Sequence, residues 1–106
     1  MSKHSFQLTY SVYPLHENEE SKESADKARY LIRNIKGWGM LDKIETTLVG
    51  ELYLDSLHIS KKREDAEDIV DSVIRDVLHD NGVFQDVKLY ASLMVDGLGE
   101  HITFKL

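Results

Sequence analysis

The amino-acid sequence predicts an α+β domain in which two helices cover one face of an antiparallel sheet of four to five strands. Three observations predict this class: an alternating strand near the N-terminus, two segments with helical periodicity, and strand-like alternation around the second of them. The 106 residues include no cysteine and suffice for one core without disulfides or a structural metal. We therefore expect a single domain over residues 1–106.

The first predicted element is a half-buried strand. Apolar and polar residues alternate along it, the apolar ones being Phe6, Leu8, Tyr10 and Val12. Pro14, the only proline, ends the run because it lacks a ladder donor. A helix is then expected to begin near Ser21 or Ser24 and to reach Lys36, with Gly37 as its stop.

The clearest helical pattern lies between Ser60 and Gly82. Apolar residues recur there at steps of three and four and form one stripe, made of Ala66, Ile69, Val70, Val73, Ile74, Val77 and Leu78. We expect Ser60 to cap the start of this helix and Asn81-Gly82 to supply the left-handed residue that ends it. A stripe this apolar requires a sheet to cover it.

The segments on either side of the second helix predict two hairpins. Between Leu41 and Ser60 the alternation changes phase, so the chain reverses either at Gly50-Glu51 or at Asp55-Ser56. After the helix, residues 87–95 alternate again, and the turn residues 96–99 lead into a last short strand. The order β-α-β-β-α-β-β predicts the ferredoxin-like split βαβ plan with an extra C-terminal strand.

Charge and targeting patterns narrow the range of partners. The net charge of −6 and the pI near 5.3 disfavour binding to nucleic acid through a global positive field, although a local basic stripe can still act. The N-terminus leads directly into a strand, without the apolar segment of a signal peptide, and no run is long enough to span a membrane. We therefore expect a cytoplasmic protein without a membrane contact.

Two groups of basic residues are candidates for binding an anion or an acidic partner. Lys61, Lys62 and Arg63 crowd the first turn of the second helix, where the helix dipole is already positive. Arg29 and Arg33 belong to a basic stripe on the first helix. The alternative is that neighbouring carboxylates on the second helix simply neutralise its basic cluster.

The sheet face that the helices leave uncovered is the second candidate surface. It should present aromatic and polar side chains, among them Tyr13, Tyr53, Tyr90 and His101. Such a face can stack RNA bases, form a dimer contact or remain solvated. The five histidines lack zinc-site spacing, and no Ser/His/Asp set stands out, so we expect no metal, no cofactor and no catalytic residue.

The arrangement of FQLTYSVYP, a helix, KGWGMLDKIETTLVG, a hairpin ending in SLHIS, a helix and VKLYASLMV resembles a group of small ferredoxin-like proteins. The group includes the ribonuclease antitoxin GhoS, the VapD ribonucleases and the small subunit of CRISPR adaptation complexes. The resemblance covers nearly the whole chain as element order and apolar pattern, and it implies a homodimer formed through sheet edges or faces. The CRISPR-type proteins carry an aspartate where this chain reads Ser11-Val12-Tyr13-Pro14, so a divalent metal there would lack its carboxylate.

These patterns favour a non-enzymatic interaction module that acts as a homodimer, through its last strand or its open sheet face. The alternative is a GhoS- or VapD-like endoribonuclease, or an RNA-binding protein, whose basic residues hold phosphates. A third interpretation is a sensor domain that holds a small ligand where two copies meet.

Overall fold

The computed structural model describes residues 2–106, so Met1 of the expected domain lies outside the described residues. Its elements are β1 (Ser2–Pro14), α1 (Glu19–Arg33), β2 (Gly39–Leu41), β3 (Ile44–Leu54), α2 (Ile59–Asp80), β4 (Val87–Val95) and β5 (Ile102–Lys105). A 3₁₀ turn, Phe84–Asp86, joins α2 to β4. The predicted α+β class, with two helices and an antiparallel sheet, is confirmed.

The five strands form one open sheet in the order β2-β3-β1-β4-β5, and every neighbouring pair is antiparallel. β1 lies at the centre. It pairs with β3 from Ser2 opposite Leu54 to Thr9 opposite Thr47, and with β4 from Phe6 opposite Val95 to Pro14 opposite Val87. Both outer strands are short, so the sheet has two edges of limited length.

The core lies between one sheet face and the two helices. Because side chains alternate along a strand, every second residue of β1 from Phe6 to Val12 is buried, and β4 follows the same pattern. The helices contribute their apolar stripes, which are Ala25, Ala28 and Ile32 on α1 and Ala66, Val70, Ile74 and Leu78 on α2. The helices contact each other and the same strands, so both cover a single face.

The helix ends differ from the sequence prediction. α1 begins at Glu19 because the side chain of Asn18 accepts a 2.8 Å hydrogen bond from the amide of Ser21, so the predicted start at Ser21 or Ser24 was wrong. It ends at Arg33, three residues before the predicted Lys36.

The N-terminal cap predicted for α2 was also wrong. α2 begins at Ile59 after His58, whose side chain makes no capping hydrogen bond, and Ser60 lies inside the helix. The end of α2 is confirmed, since Gly82 has a φ of +70°.

The middle hairpin reverses at neither predicted position. The turn lies between β2 and β3, at Asp42-Lys43, and Lys43 takes the left-handed φ of +62°. Gly50 stays inside β3 because its missing side chain leaves room for the rings of Phe6 and Trp38. The change of phase that suggested a turn marks instead the point where the chain leaves β3 for α2.

Trp38 packs at the end of the core. It is partly buried, and its ring meets that of Phe6 edge-to-face with centroids 5.2 Å apart. Among the described residues, no helix has the length and apolar character needed to cross a membrane.

Candidate functional site

The open sheet face, defined as the side of the sheet that the helices leave uncovered, carries a concentration of large exposed side chains. Tyr13, Tyr53, Tyr90 and Met94 all belong to this face, and each is between 49% and 58% exposed. The predicted tyrosines therefore share one surface. His101 precedes β5 in the chain and is also exposed.

Strand register arranges the open face in rows that cross the sheet. One row consists of hydroxyl side chains from four strands, in the order Thr47, Thr9, Ser92 and Thr103. The hydroxyl oxygens of Thr9 and Thr47 are 3.3 Å apart, and Thr47 is only 5% exposed. This hydroxyl row divides the face into two ends.

The end of the face near the C-terminus of β1 is basic and aromatic. Tyr90 lies opposite Ser11 on one side and Lys105 on the other, and Tyr13 lies opposite Lys88. The rings of Tyr13 and Tyr90 meet edge-to-face with centroids 6.0 Å apart. Within residues 2–106, neither lysine forms an ion pair with a carboxylate.

The other end of the face carries acidic groups. Glu51 forms a 2.7 Å ion pair with Lys3, and Asp96 follows β4 directly. The amide of Asp96 donates to the carbonyl of Ser5 at 2.8 Å, which fixes this end against β1. Lys3 offsets the charge of Glu51, so Asp96 is the exposed carboxylate at this end that faces away from the lysines of the other end.

Two shallow depressions lie on this face. One, of about 620 Å³, is lined by Tyr90, Lys105 and the hydroxyl side chains of β1, β4 and β5. The other, of about 730 Å³, lies at the acidic end around Gln7, Val49 and Met94. A partner could pack against the apolar surfaces of these depressions and form hydrogen bonds with their hydroxyl groups.

The basic residues predicted on α1 are engaged by protein oxygens. Arg29 donates to the carbonyl of Val12 at 2.6 Å and pairs with Asp26 at 2.7 Å. That carbonyl lies beyond the last residue of β1 that pairs with β3, so Arg29 replaces the missing strand partner. Arg33 lies 3.8 Å from a carboxylate oxygen of Glu45.

The basic cluster of α2 is engaged in the same way. Lys61 pairs with Asp65 at 3.3 Å, and Lys62 donates to the hydroxyl of Ser2 at 3.1 Å. Arg63 donates to two carbonyl oxygens in the turn that follows β4. The five candidate anion ligands are therefore split between two helices, and each of them contacts an oxygen of the protein.

Asp65 on α2 is held by two neighbouring side chains. The hydroxyl of Ser56 donates to it at 2.7 Å, and this bond, with the nearby Lys61, holds the pKa of the Asp65 carboxyl below its ordinary value. The same pairing raises the pKa of Lys61. Both shifts reflect a local structural contact at the start of α2.

The described residues contain no group of three histidine or carboxylate side chains placed to hold a metal ion. His4 contacts the carbonyl of Asp96 at 2.8 Å, and His79 stacks on Phe84 with centroids 4.1 Å apart. Both histidines thus serve in packing or hydrogen bonding.

Sequence reasoning missed Met94 and Thr47 as parts of the open face. Met94 lies two residues after Ser92 and so shares its side of β4. The alternation of the sequence was therefore sufficient to place Met94 on the open face. Thr47 joins the hydroxyl row only through the register between β3 and β1, which the misplaced hairpin turn concealed.

Comparison with known proteins supplied no relative: no family model, no curated protein and no solved structure matches the chain.

Proposed function

We propose that this domain is a non-enzymatic interaction module that forms a homodimer through its open sheet face. The observation that carries the proposal is the gathering of Tyr13, Tyr53, Tyr90 and Met94, all about half exposed, on one side of the sheet. Exposed apolar residues scattered over a whole surface are ordinary, but their concentration on one face of a sheet is typical of an interaction site. Tyrosine and methionine are also enriched in the cores of such interfaces.

The charges of the open face favour a second copy of the chain as the occupant. A two-fold axis in the plane between two stacked faces, perpendicular to the strands, reverses the strand direction of one copy. With the axis at the hydroxyl row, Lys88 would lie over Asp96 of the other copy, and the symmetry repeats this attraction on the other side of the axis. From strand spacings of about 4.8 Å and about 3.3 Å per residue, the face covers roughly 600 Å², close to the ~800 Å² per partner of a standard interface.

Edge pairing through β5 is a weaker explanation for a dimer. β5 spans only four residues and carries Lys105, two features that discourage strand addition at an edge. Glu64 and Glu67 of α2 line a depression together with Ile102 of β5. If two copies joined along β5, these carboxylates would come close together and repel each other.

We also propose that the architecture is ferredoxin-like, with a split βαβ plan and an added fifth strand. The position of β1 between β3 and β4 supports this assignment. A cytoplasmic location is part of the proposal, supported by the absence of cysteine from the sequence.

Sedimentation equilibrium tests the dimer. We expect the wild type to dimerise, and the variant Tyr90→Ser with Met94→Ser to dissociate with a Kd at least roughly tenfold higher, since about 1.4 kcal/mol corresponds to a factor of ten. The matched control is Tyr30→Ser with Met40→Ser, which removes the same side chains from exposed positions on α1 and β2. A monomeric wild type, or equal dissociation of both variants, would overturn the proposal.

A second candidate function is binding of single-stranded RNA, because Tyr13 neighbours Lys88 and Tyr90 neighbours Lys105 on the same face. Exposed aromatic rings stack on bases while lysines contact phosphates. Fluorescence anisotropy with a labelled RNA oligonucleotide at low salt tests it, with Lys88→Gln plus Lys105→Gln as the weakened variant. Cleavage of the same RNA in magnesium would favour the GhoS- or VapD-like endoribonuclease instead.

A further inference from the structure

The outer edge of β3 is free over half of the strand. β2 pairs with β3 only from Ile44 to Val49, and the chain reaches β2 through a turn at Gly37, whose φ is +90°. Residues 50–54 of β3 therefore pair with β1 on one side and have no strand partner on the other within residues 2–106. This free segment, residues 50–54, is called the β3 edge.

The backbone groups that point out of the β3 edge follow from the register. The amide of Asp96 donates to the carbonyl of Ser5, so Ser5 directs its backbone toward β4, and the residues of β1 on either side direct theirs toward β3. The bonded partners in β3 are then Gly50, Leu52 and Leu54, which face those residues. The N–H and C=O groups of Glu51 and Tyr53 consequently point outward and can accept another strand.

The surroundings of the β3 edge are acidic and apolar. A depression of about 230 Å³ between the end of β3 and α2 is lined by Tyr53, Leu54, Asp55, Asp65, Asp68 and Ile69. Asp65 is engaged by Ser56 and Lys61, whereas Asp55 and Asp68 are exposed and take part in none of the ion pairs of the described residues. No lysine or arginine lines the depression.

We infer that the β3 edge binds an extended peptide segment of a partner protein in which apolar or threonine residues alternate with basic residues. The peptide would add as an antiparallel strand in line with β2 and bond to the backbone of Glu51 and Tyr53. Its residue opposite Leu54 would direct a lysine or arginine side chain toward Asp55 and Asp68. The β3 edge adjoins the dimer contact proposed above, but the peptide would use the backbone of Glu51 and Tyr53, whereas the dimer uses side chains of the open face. A second copy does not fit the β3 edge, because the aspartates of the two copies would repel each other.

The test uses the full-length chain and a synthetic seven-residue peptide with blocked ends, in which threonine or valine alternates with lysine. Matched peptides carry glutamate in place of lysine, or N-methyl groups on alternate amides. Hydrogen exchange followed by NMR reads the site directly. The amides of Glu51 and Tyr53 should exchange rapidly in the free protein and slowly with the lysine peptide, and both matched peptides should fail to protect them.

Two variants separate the charge from the backbone contribution. Asp68→Lys should weaken binding at least about tenfold, whereas the control Asp76→Lys, an exposed aspartate further along α2, should not. Glu51→Pro removes an outward N–H and should abolish binding while the ladder to β1 remains. If Glu51→Pro fails to fold, the comparison of Asp68→Lys with Asp76→Lys still tests the inference.

Four outcomes would overturn the inference. They are protection of the Glu51 and Tyr53 amides in the free protein, absence of binding by the lysine peptide, equal binding of the glutamate peptide, and protection confined to the open sheet face. The open-face dimer would be unaffected by any of them, because its own test uses Tyr90 and Met94.

Discussion

Arg63 at the start of α2 donates a 2.8 Å hydrogen bond to the carbonyl oxygen of Leu98, thirty-five positions further along the chain. The same guanidinium nitrogen also donates to the carbonyl of Glu100. Leu98 is buried, and it lies between two glycines of positive φ in the turn between β4 and β5. Arg63 therefore joins the second helix to the last hairpin.

Replacing Arg63 should loosen β5. Arg63→Ala leaves two carbonyls without their charged donor, and we expect a loss of about 1 to 3 kcal/mol in the free energy of unfolding, measured by urea denaturation. Amides of Ile102 and Phe104 should also exchange faster. Lys61→Ala, two residues earlier and exposed, is the control and should change little; equal effects would contradict the role of Arg63.

Adding a methyl group at Gly50 should destabilise the core. A Cβ at Gly50 would approach the Phe6 ring at 2.6 Å and Trp38 at 3.1 Å, whereas one at Gly39 would meet only Val49 at 3.8 Å. We expect Gly50→Ala to cost about 1 to 3 kcal/mol by overpacking, and Gly39→Ala to cost much less. Thermal unfolding compares them, and Phe6→Leu should absorb part of the Gly50→Ala penalty if the ring causes it.

The two helix N-termini should respond differently to loss of the capping residue. Asn18→Ala removes the acceptor of the Ser21 amide and should lower the stability by about 0.5 to 2 kcal/mol. His58→Ala removes a residue whose side chain makes no capping bond, so its effect should be small. Chemical denaturation of both variants provides the comparison, and a larger loss in His58→Ala would refute it.

Tyr10 should give the fold a sensitivity to alkali. Burial raises the pKa of the Tyr10 phenol above its ordinary value of 10.0. The unfolded chain then ionises first, so this group's stabilisation is complete below pH about 10 and is lost as the pH rises through the folded pKa. Tyr10→Phe should flatten the fall in urea midpoint above about pH 10, whereas Tyr90→Phe, on the exposed face, should not.

The sequence predicted those parts of the fold that depend on a repeated local pattern. The alternation in β1 and β4 and the three-and-four spacing in α2 follow from side-chain burial alone. The structure contains both strands and the helix. The turn of the middle hairpin could not be placed from a local pattern. Gly50 resembles a turn residue locally, but the reason for its presence is a distant ring, that of Phe6, so single-sequence reasoning placed the turn wrongly.

The candidate surfaces divide in the same way. Tyr13 and Tyr90 could be placed on one face by their alternation, because each belongs to a regular strand. The cluster at Lys61, Lys62 and Arg63 predicted anion binding, yet Arg63 serves the turn after β4, a contact between segments that no local spacing reveals. The free edge of β3 depends on where β2 ends, and hence on the same misplaced turn.

The central position of β1 has a consequence for synthesis of the protein. β1 leaves the ribosome before either of its neighbours, and β4, which completes its pairing, ends only at Val95. Ladders between segments so distant in the chain form slowly. Until β4 emerges, the side of β1 that pairs with β4 has no hydrogen-bond partner, and it is exposed to other nascent chains. The yield of folded protein should therefore depend on holdase chaperones that shield β1 during translation.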